Sequence, residues 1–202
     1  MPRLSVELRD QRRRHVLVSA WSCFTRDGFH ATSMDDIIAA TGMSSSAVYR
    51  YVSGKDELVE AATEEALKLL RDLFTRLLDT DPLPTPAETV EALVRELSGR
   101  GDQADYDLSK IAVHGWAEAL RSPEVEASTR AFYREVRANL GVLARRWQAA
   151  GVLPSGANPD HVAAALQTVM PGLIVNRHLA GAVSAEDLLD GLTALAVPTP
   201  TA

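Results

Sequence analysis

The sequence predicts an all-α protein of about nine helices, and three observations lead there. Apolar residues recur at the three-to-four-residue spacing of a helix, with no strand-period alternation of useful length. Alanine, leucine and arginine, all strong helix formers, are common. Ten prolines and twelve glycines punctuate 202 residues, and they supply helix stops. Apolar residues make up 46% and charged residues 24%, the balance of a soluble globular chain with one or two domains.

The first helix is expected from Arg9 to Asp27, on the spacing of Val16, Leu17, Ala20, Cys23 and Phe24. Gly28 follows, where a left-handed residue costs least. Thr32 is the expected N-cap of a second helix from Met34 to Ala40, with Asp35 three residues on in a capping-box-like place. Thr41-Gly42 ends it. Ser44 or Ser45 caps a third short helix reaching about Tyr51, Ser53-Gly54 breaks the chain, and Lys55 opens a long fourth helix towards Thr80. A stiff connector, Asp81 to Pro86, precedes helices expected near 87–98, 106–121, 124–150, 159–180 and 185–196. Pro171-Gly172 lies inside the eighth of these. A proline there removes a donor, and is expected to kink the helix or start a new one.

The net charge is −6, but it is unevenly spread. Residues 1–55 hold eight Lys/Arg against five Asp/Glu, a net +3, and the remainder carries −9. A basic head on an acidic body fits a polyanion-binding module joined to a body with another task. The single cysteine, Cys23, cannot form an internal disulfide, so a reducing, cytoplasmic setting is expected. No signal peptide is apparent, and no run approaches the roughly 20 apolar residues of a membrane helix.

The informative stretch is Thr32 to Leu58. Two short helices joined by a tight glycine turn make a helix-turn-helix, whose second helix can enter a major groove. Ile37, Met43 and Val48 are expected to lock the pair, and Ala39 and Ala40 to permit close crossing. The second helix presents Ser45, Ser46, Tyr49, Arg50 and Tyr51, all hydrogen-bond donors and none acidic. Arg50 fits two hydrogen bonds to guanine, a phosphate contact or a plain surface position. Lys55 stands where free backbone N–H groups and its own charge could share a phosphate, or where it is simply solvated. Arg3, Arg9, Arg12, Arg13 and Arg14 form a basic arm suited to phosphate or the minor groove, or merely solvated.

Phe24, Gly28-Phe29, Thr32, Ile37, Thr41-Gly42-Met43-Ser44, Val48-Tyr49 and Lys55-Asp56-Glu57-Leu58 together resemble the TetR family of bacterial repressors. The resemblance covers roughly residues 10–60. It implies a three-helix DNA-binding domain, residues 1–54, followed by a ligand-binding and dimerisation domain, residues 55–202. Carried over by position, Thr32, Tyr49 and Lys55 match phosphate contacts. Ser44, Ser45, Ser46, Ala47, Arg50 and Tyr51 fall among base and nearby backbone contacts. Ile38 and Val52 depart from the family's usual alanine and phenylalanine, and both stay apolar.

The resemblance also implies a homodimer on a palindromic operator, released or retained by a small-molecule effector. The apolar stripes Val162, Leu166, Val169, Leu173 and Leu188, Leu192, Leu195 are candidates for the dimer interface, with intramolecular core claiming part of them. Phe74, His114, Trp116, Phe132, Trp147, Met170 and Asn176 are candidates for the effector pocket, apolar walls with a few polar handles, or else core. No catalytic, metal or cofactor pattern emerges. Five scattered histidines make no His-Glu-x-x-His pair, and there is neither a dinucleotide fingerprint nor a nucleophile elbow. The competing non-enzymatic reading is a helical protein-binding adaptor with an unused helix-turn-helix. Activation rather than repression is equally open to the sequence.

Overall fold

The computed structural model describes residues 6–98 and 106–195. Among the described residues there are nine helices and no strand: α1 Val6–Ala31, α2 Met34–Thr41, α3 Ser45–Val48, α4 Lys55–Asp79, α5 Pro86–Ser98, α6 Leu108–Ala119, α7 Pro123–Ala149, α8 Pro159–Leu179 and α9 Ala185–Leu195. The all-helical expectation holds, with most boundaries within a few residues.

Val16, Ala20 and Phe24 bury along one face of α1 at four-residue intervals. The helical path breaks at Gly28, which adopts φ 79°, and Phe29 turns back into the core. Glycine is needed there for two reasons. The left-handed region is costly for other residues, and a Cβ on Gly28 would sit 2.9 Å from Cε1 of His114. The basic arm is helical from Val6 onward, so Arg9, Arg12, Arg13 and Arg14 ride on the first turns of α1. Arg3 lies outside the described residues.

The cap of α2 is Ser33, one residue later than expected. Its hydroxyl accepts from the Asp36 amide, and Asp36 accepts from the Ser33 amide. Thr32 is instead buried, its hydroxyl donating to the Gly28 carbonyl at 2.8 Å. Gly42 (φ 64°) ends α2 as expected. Ile37 and Thr41, four apart, form its buried face, which leaves Ala39 and Ala40 exposed and outside any crossing. α3 stops at Val48 rather than Tyr51. Beyond it two i→i−3 bonds, from the Arg50 amide to Ala47 and the Tyr51 amide to Val48, fall between i→i−4 bonds from the Tyr49 and Val52 amides. That turn brings Tyr51 and Val52 onto the core.

The chain divides into two compact units. The first takes α1 to α3, the start of α4, α6 and the start of α7. Its core gathers Val16, Trp21, Phe24, Phe29, Ile37, Val48, Leu58 and Ile111. The second takes the rest of α4 and α7 with α5, α8 and α9. There α5 packs on α8 and α9. Phe74, Leu93, Phe132, Leu140, Leu143, Trp147 and Met170 are buried within it. α8 continues through Pro171, so no new helix starts there.

Gly28→Ala should destabilise the protein by about 1–3 kcal/mol, from a disfavoured φ and a collision with His114. Gly42→Ala, with open space around it, should cost only the conformational part, about 1 kcal/mol. Urea unfolding of the two variants should rank them in that order, and His114→Ala should relieve only the Gly28 variant.

Candidate nucleic-acid interface

The second and third helices give the site its shape. Ile37 and Val48 are fully buried, and Met43 packs against the same core, so α3 is held from beneath. Its outer side presents Ser44, Ser45, Ser46, Tyr49 and Arg50, all exposed, with Ala47, Tyr51 and Lys55 half-buried beside them. Ser44 caps α3 by backbone alone, and its hydroxyl lies 3.3 Å from that of Ser46. Among the described residues, neither Arg50 nor Lys55 has a side-chain partner. No acidic residue stands in the first turn of α3.

Thr32 does not reach this surface. Burial and its bond to Gly28 make it the closure of α1, and the exposed hydroxyl at the start of α2 is that of Ser33. The Ser33 bonds hold the Asp36 carboxyl below its usual range. A further residue that the sequence reasoning left unassigned is Glu57. Its carboxylate accepts from the Ser53 amide at 2.7 Å, the Ser53 hydroxyl at 3.0 Å and Arg13 Nη2 at 2.9 Å. It thereby ties the loop after α3 to α1 and fixes the segment that carries Lys55. The signal was a serine four residues ahead of a glutamate at a helix start.

The candidate pocket residues divide between the two compact units. His114 and Trp116 belong to the first compact unit, and the other five to the second. Phe74, Phe132, Trp147 and Met170 are packed core. The Trp147 indole donates to the Pro84 carbonyl at 2.6 Å, and Asn176 Nδ2 to the Gly172 carbonyl at 3.0 Å. Their large apolar surfaces serve the interior first, as core residues of a helical unit must. His114 lies 5.7 Å from Phe29, ring to ring, and burial, Lys110 and His30 together push its pKa below the ordinary value. A shallow hollow of about 290 Å³ is lined by Ala119, Leu120, Glu126, Thr129 and Arg130, none of them a sequence candidate.

The interface stripes divide. Leu173 is buried within its own unit and leaves the candidate surface. Val162, Leu166, Val169 and Leu188 are half-buried. Leu192 is 43% and Leu195 77% exposed, and no residue of α9 is fully buried. Val175 and Leu179, at 39% and 82%, extend the apolar surface of α8. Their four-residue spacing just before Ala180-Gly181 was the available sign.

This fold and this surface define a helix-turn-helix regulator with an appended helical body. The family model for the C-terminal domain of BetI-type transcriptional repressors matches residues 86–196, and that for bacterial regulatory proteins of the tetR family matches residues 16–62. The chain belongs to the TetR family. It is 33% identical over 73 residues to the HTH-type transcriptional regulator YfiR of Bacillus subtilis, a match spanning 34% of this chain and 36% of YfiR. It is 26% identical over 140 residues to the HTH-type transcriptional repressor Rv1474c of Mycobacterium tuberculosis, spanning 64% of this chain and 68% of the relative. A TetR transcriptional regulator from Chloroflexus aurantiacus shares the fold with a TM-score of 0.74 at 21% identity, over 94% of each chain. So does AibR, solved with isovaleryl coenzyme A and operator DNA, with a TM-score of 0.65 at 20% identity over 91% of this chain and 97% of that one.

The Ser53 amide, then Arg13, hold the Glu57 carboxyl below its usual 4.5 against the opposing effect of burial. The folded group therefore titrates below the unfolded one, and the stabilisation is complete above about pH 4.5 and lost as pH falls below it. In an NMR titration, Arg13→Ala should move the Glu57 midpoint upward without bringing it fully to 4.5. An unmoved midpoint would mean that the Arg13 pair does not form in solution.

Proposed function

We propose that this chain is a ligand-responsive transcriptional repressor that binds a palindromic operator in double-stranded DNA as a homodimer in the cytoplasm. The observation that carries the reading is the exposed, acid-free segment from Ser44 to Arg50, seated on buried Ile37 and Val48. Hydroxyls and one unpaired arginine suit the groove, and Lys55 at the head of α4 suits a phosphate. The segment is short, so two copies one helical turn of DNA apart supply the affinity that one cannot. Residues 1–54 are assigned to DNA and residues 55–202 to the effector and the partner copy.

An effector that binds the body and DNA with a coupling of about 1–3 kcal/mol suffices for control. α4 is continuous from the DNA-proximal Lys55 to Asp79 and contributes to both compact units. A shift along it would change the separation of the two reading heads. AibR was solved with a coenzyme A thioester and operator DNA, which supports effector control on this fold and leaves the effector of this chain to experiment.

Selection of bound sites from random duplexes should return a symmetric consensus, and an asymmetric or absent one would end this reading. With about eight phosphates met per dimer, the logarithm of affinity should fall with log salt at a slope near −7. Lys55→Ala, removing one contact per protomer, should bring the slope to about −5 on every sequence. Arg50→Ala should cost about 1–3 kcal/mol on the selected site and relax one base position. Uniform weakening on random DNA would assign Arg50 to the phosphates.

The exposed apolar surface of α8 and α9 is proposed as the dimer contact. Sedimentation should show two 21.9 kDa chains together. Leu192→Glu with Leu195→Glu should yield single chains of unchanged helical content and weakened binding to the palindrome. A doubly substituted chain that still sediments as a dimer would place the interface elsewhere.

A further inference from the structure

We propose that His15 is a positioning residue for DNA reading: it fixes the helix-turn-helix angle by donating a hydrogen bond to the carbonyl of Thr41. The inference rests on the DNA-binding reading above. His15 Nε2 lies 2.8 Å from the Thr41 carbonyl oxygen, across 26 residues of sequence. A carbonyl can only accept, so Nε2 carries the proton.

Thr41 is the last residue of α2, and the final carbonyls of a helix lack partners within it. Around this turn the other bonds are local. The Thr41 hydroxyl donates to Ile38 at 2.7 Å and accepts from the Met43 amide at 3.1 Å, and the Gly42 amide donates to Ala39 at 3.2 Å. These shape the turn but tie it to nothing beyond α2. The His15 bond joins it to α1. Packing does not duplicate that work at Gly42, because a Cβ placed there would meet no atom within 4 Å. Val48 and Met43 hold α3 and the end of the turn on the core, and the His15 bond adds a directional anchor at Thr41, where the turn begins.

Base reading requires side chains held within about 0.5 Å, whereas attraction to phosphates tolerates looser placement. Removal of the anchor should thus weaken recognition of sequence more than affinity for DNA in general. His15 stands one residue before the buried Val16, so its backbone is already placed by the core and the imidazole is free to serve the turn.

The experiment compares binding to the duplex selected by the wild-type protein with binding to a scrambled duplex of equal length, at one salt concentration and well below the melting temperature. His15→Leu should lower the ratio of the two affinities about three- to tenfold, the scale of one hydrogen bond, with affinity for scrambled DNA unchanged. His15→Gln, whose amide can donate, should recover most of the ratio. A ratio unchanged in His15→Leu, or equal losses in the two variants, would overturn the proposal, as would equal weakening on both duplexes. Long-range nitrogen–proton NMR of the wild-type protein supplies a readout that needs no variant. It should show His15 protonated at Nε2, and a bare Nε2 would refute the bond. A wild-type protein that prefers no duplex would remove the DNA-binding reading itself, a result distinct from loss of preference in the variants alone.

Discussion

Everything in the reading head depends on one constraint: a helix of four residues cannot hold itself. Nucleation of a helical turn is unfavourable, and a run this short gains almost nothing from propagation. α3 exists because Val48 is fully buried against Ile37 and because Val52, Leu58 and the aromatic residues of α1 fill the space beneath. The apolar side supplies the position and the polar side is left free. That division explains why Ser44, Ser45, Ser46 and Arg50 can be exposed together without weakening the fold.

Charge follows the same logic of containment. The head is basic overall, yet several of its cations are already engaged. Arg13 pairs with Glu57, Arg14 with Glu65, and Arg26 with Asp27. Arg14 also lies 4.9 Å over the ring of Trp21. These pairs are partly exposed and add little stability each. Their effect is to leave Arg9, Arg12, Arg50 and Lys55 as the cations without a partner among the described residues. The field of the head is thereby set by the first turns of α1, by α3 and by the start of α4, the segments proposed to face the duplex.

The sequence made the helices legible because their signals are local. Apolar spacing, glycines at 28 and 42 and the serine-glycine break before Lys55 all act within a few residues. It misplaced the cap because Thr32 with Asp35 and Ser33 with Asp36 have the same spacing. Only the angle at which the chain leaves Gly28 decides between them, and that angle is set by Phe29 entering the core. Ala39 and Ala40 misled for a similar reason: small side chains permit a close crossing but do not create one. The interface stripe was legible as apolar periodicity, while the loss of Leu173 to the interior was not, since the same spacing serves both uses. Pocket residues were the least legible. Large aromatics mark a pocket wall and a packed core alike, and the burial of Phe74, Phe132 and Trp147 is common to both uses.

The body raises its own question of energetics. α9 is an eleven-residue helix with no buried residue, and the leucines at 192 and 195 face solvent in the single chain. Helices in water are stabilised chiefly by covering an apolar face, and α9 covers its own only in part, with Leu188 half-buried. α5 touches α9 and holds it in place, but the outer leucines contribute nothing until another surface meets them. In the proposed dimer a second copy would supply that surface with the same residues, as a two-fold contact requires. Burial of apolar area at about 25 cal/mol per Å² then stabilises the helix and the pairing together. α9 is already a helix in the single chain, so in the proposed pairing the burial of its outer leucines adds to a helix that exists without it.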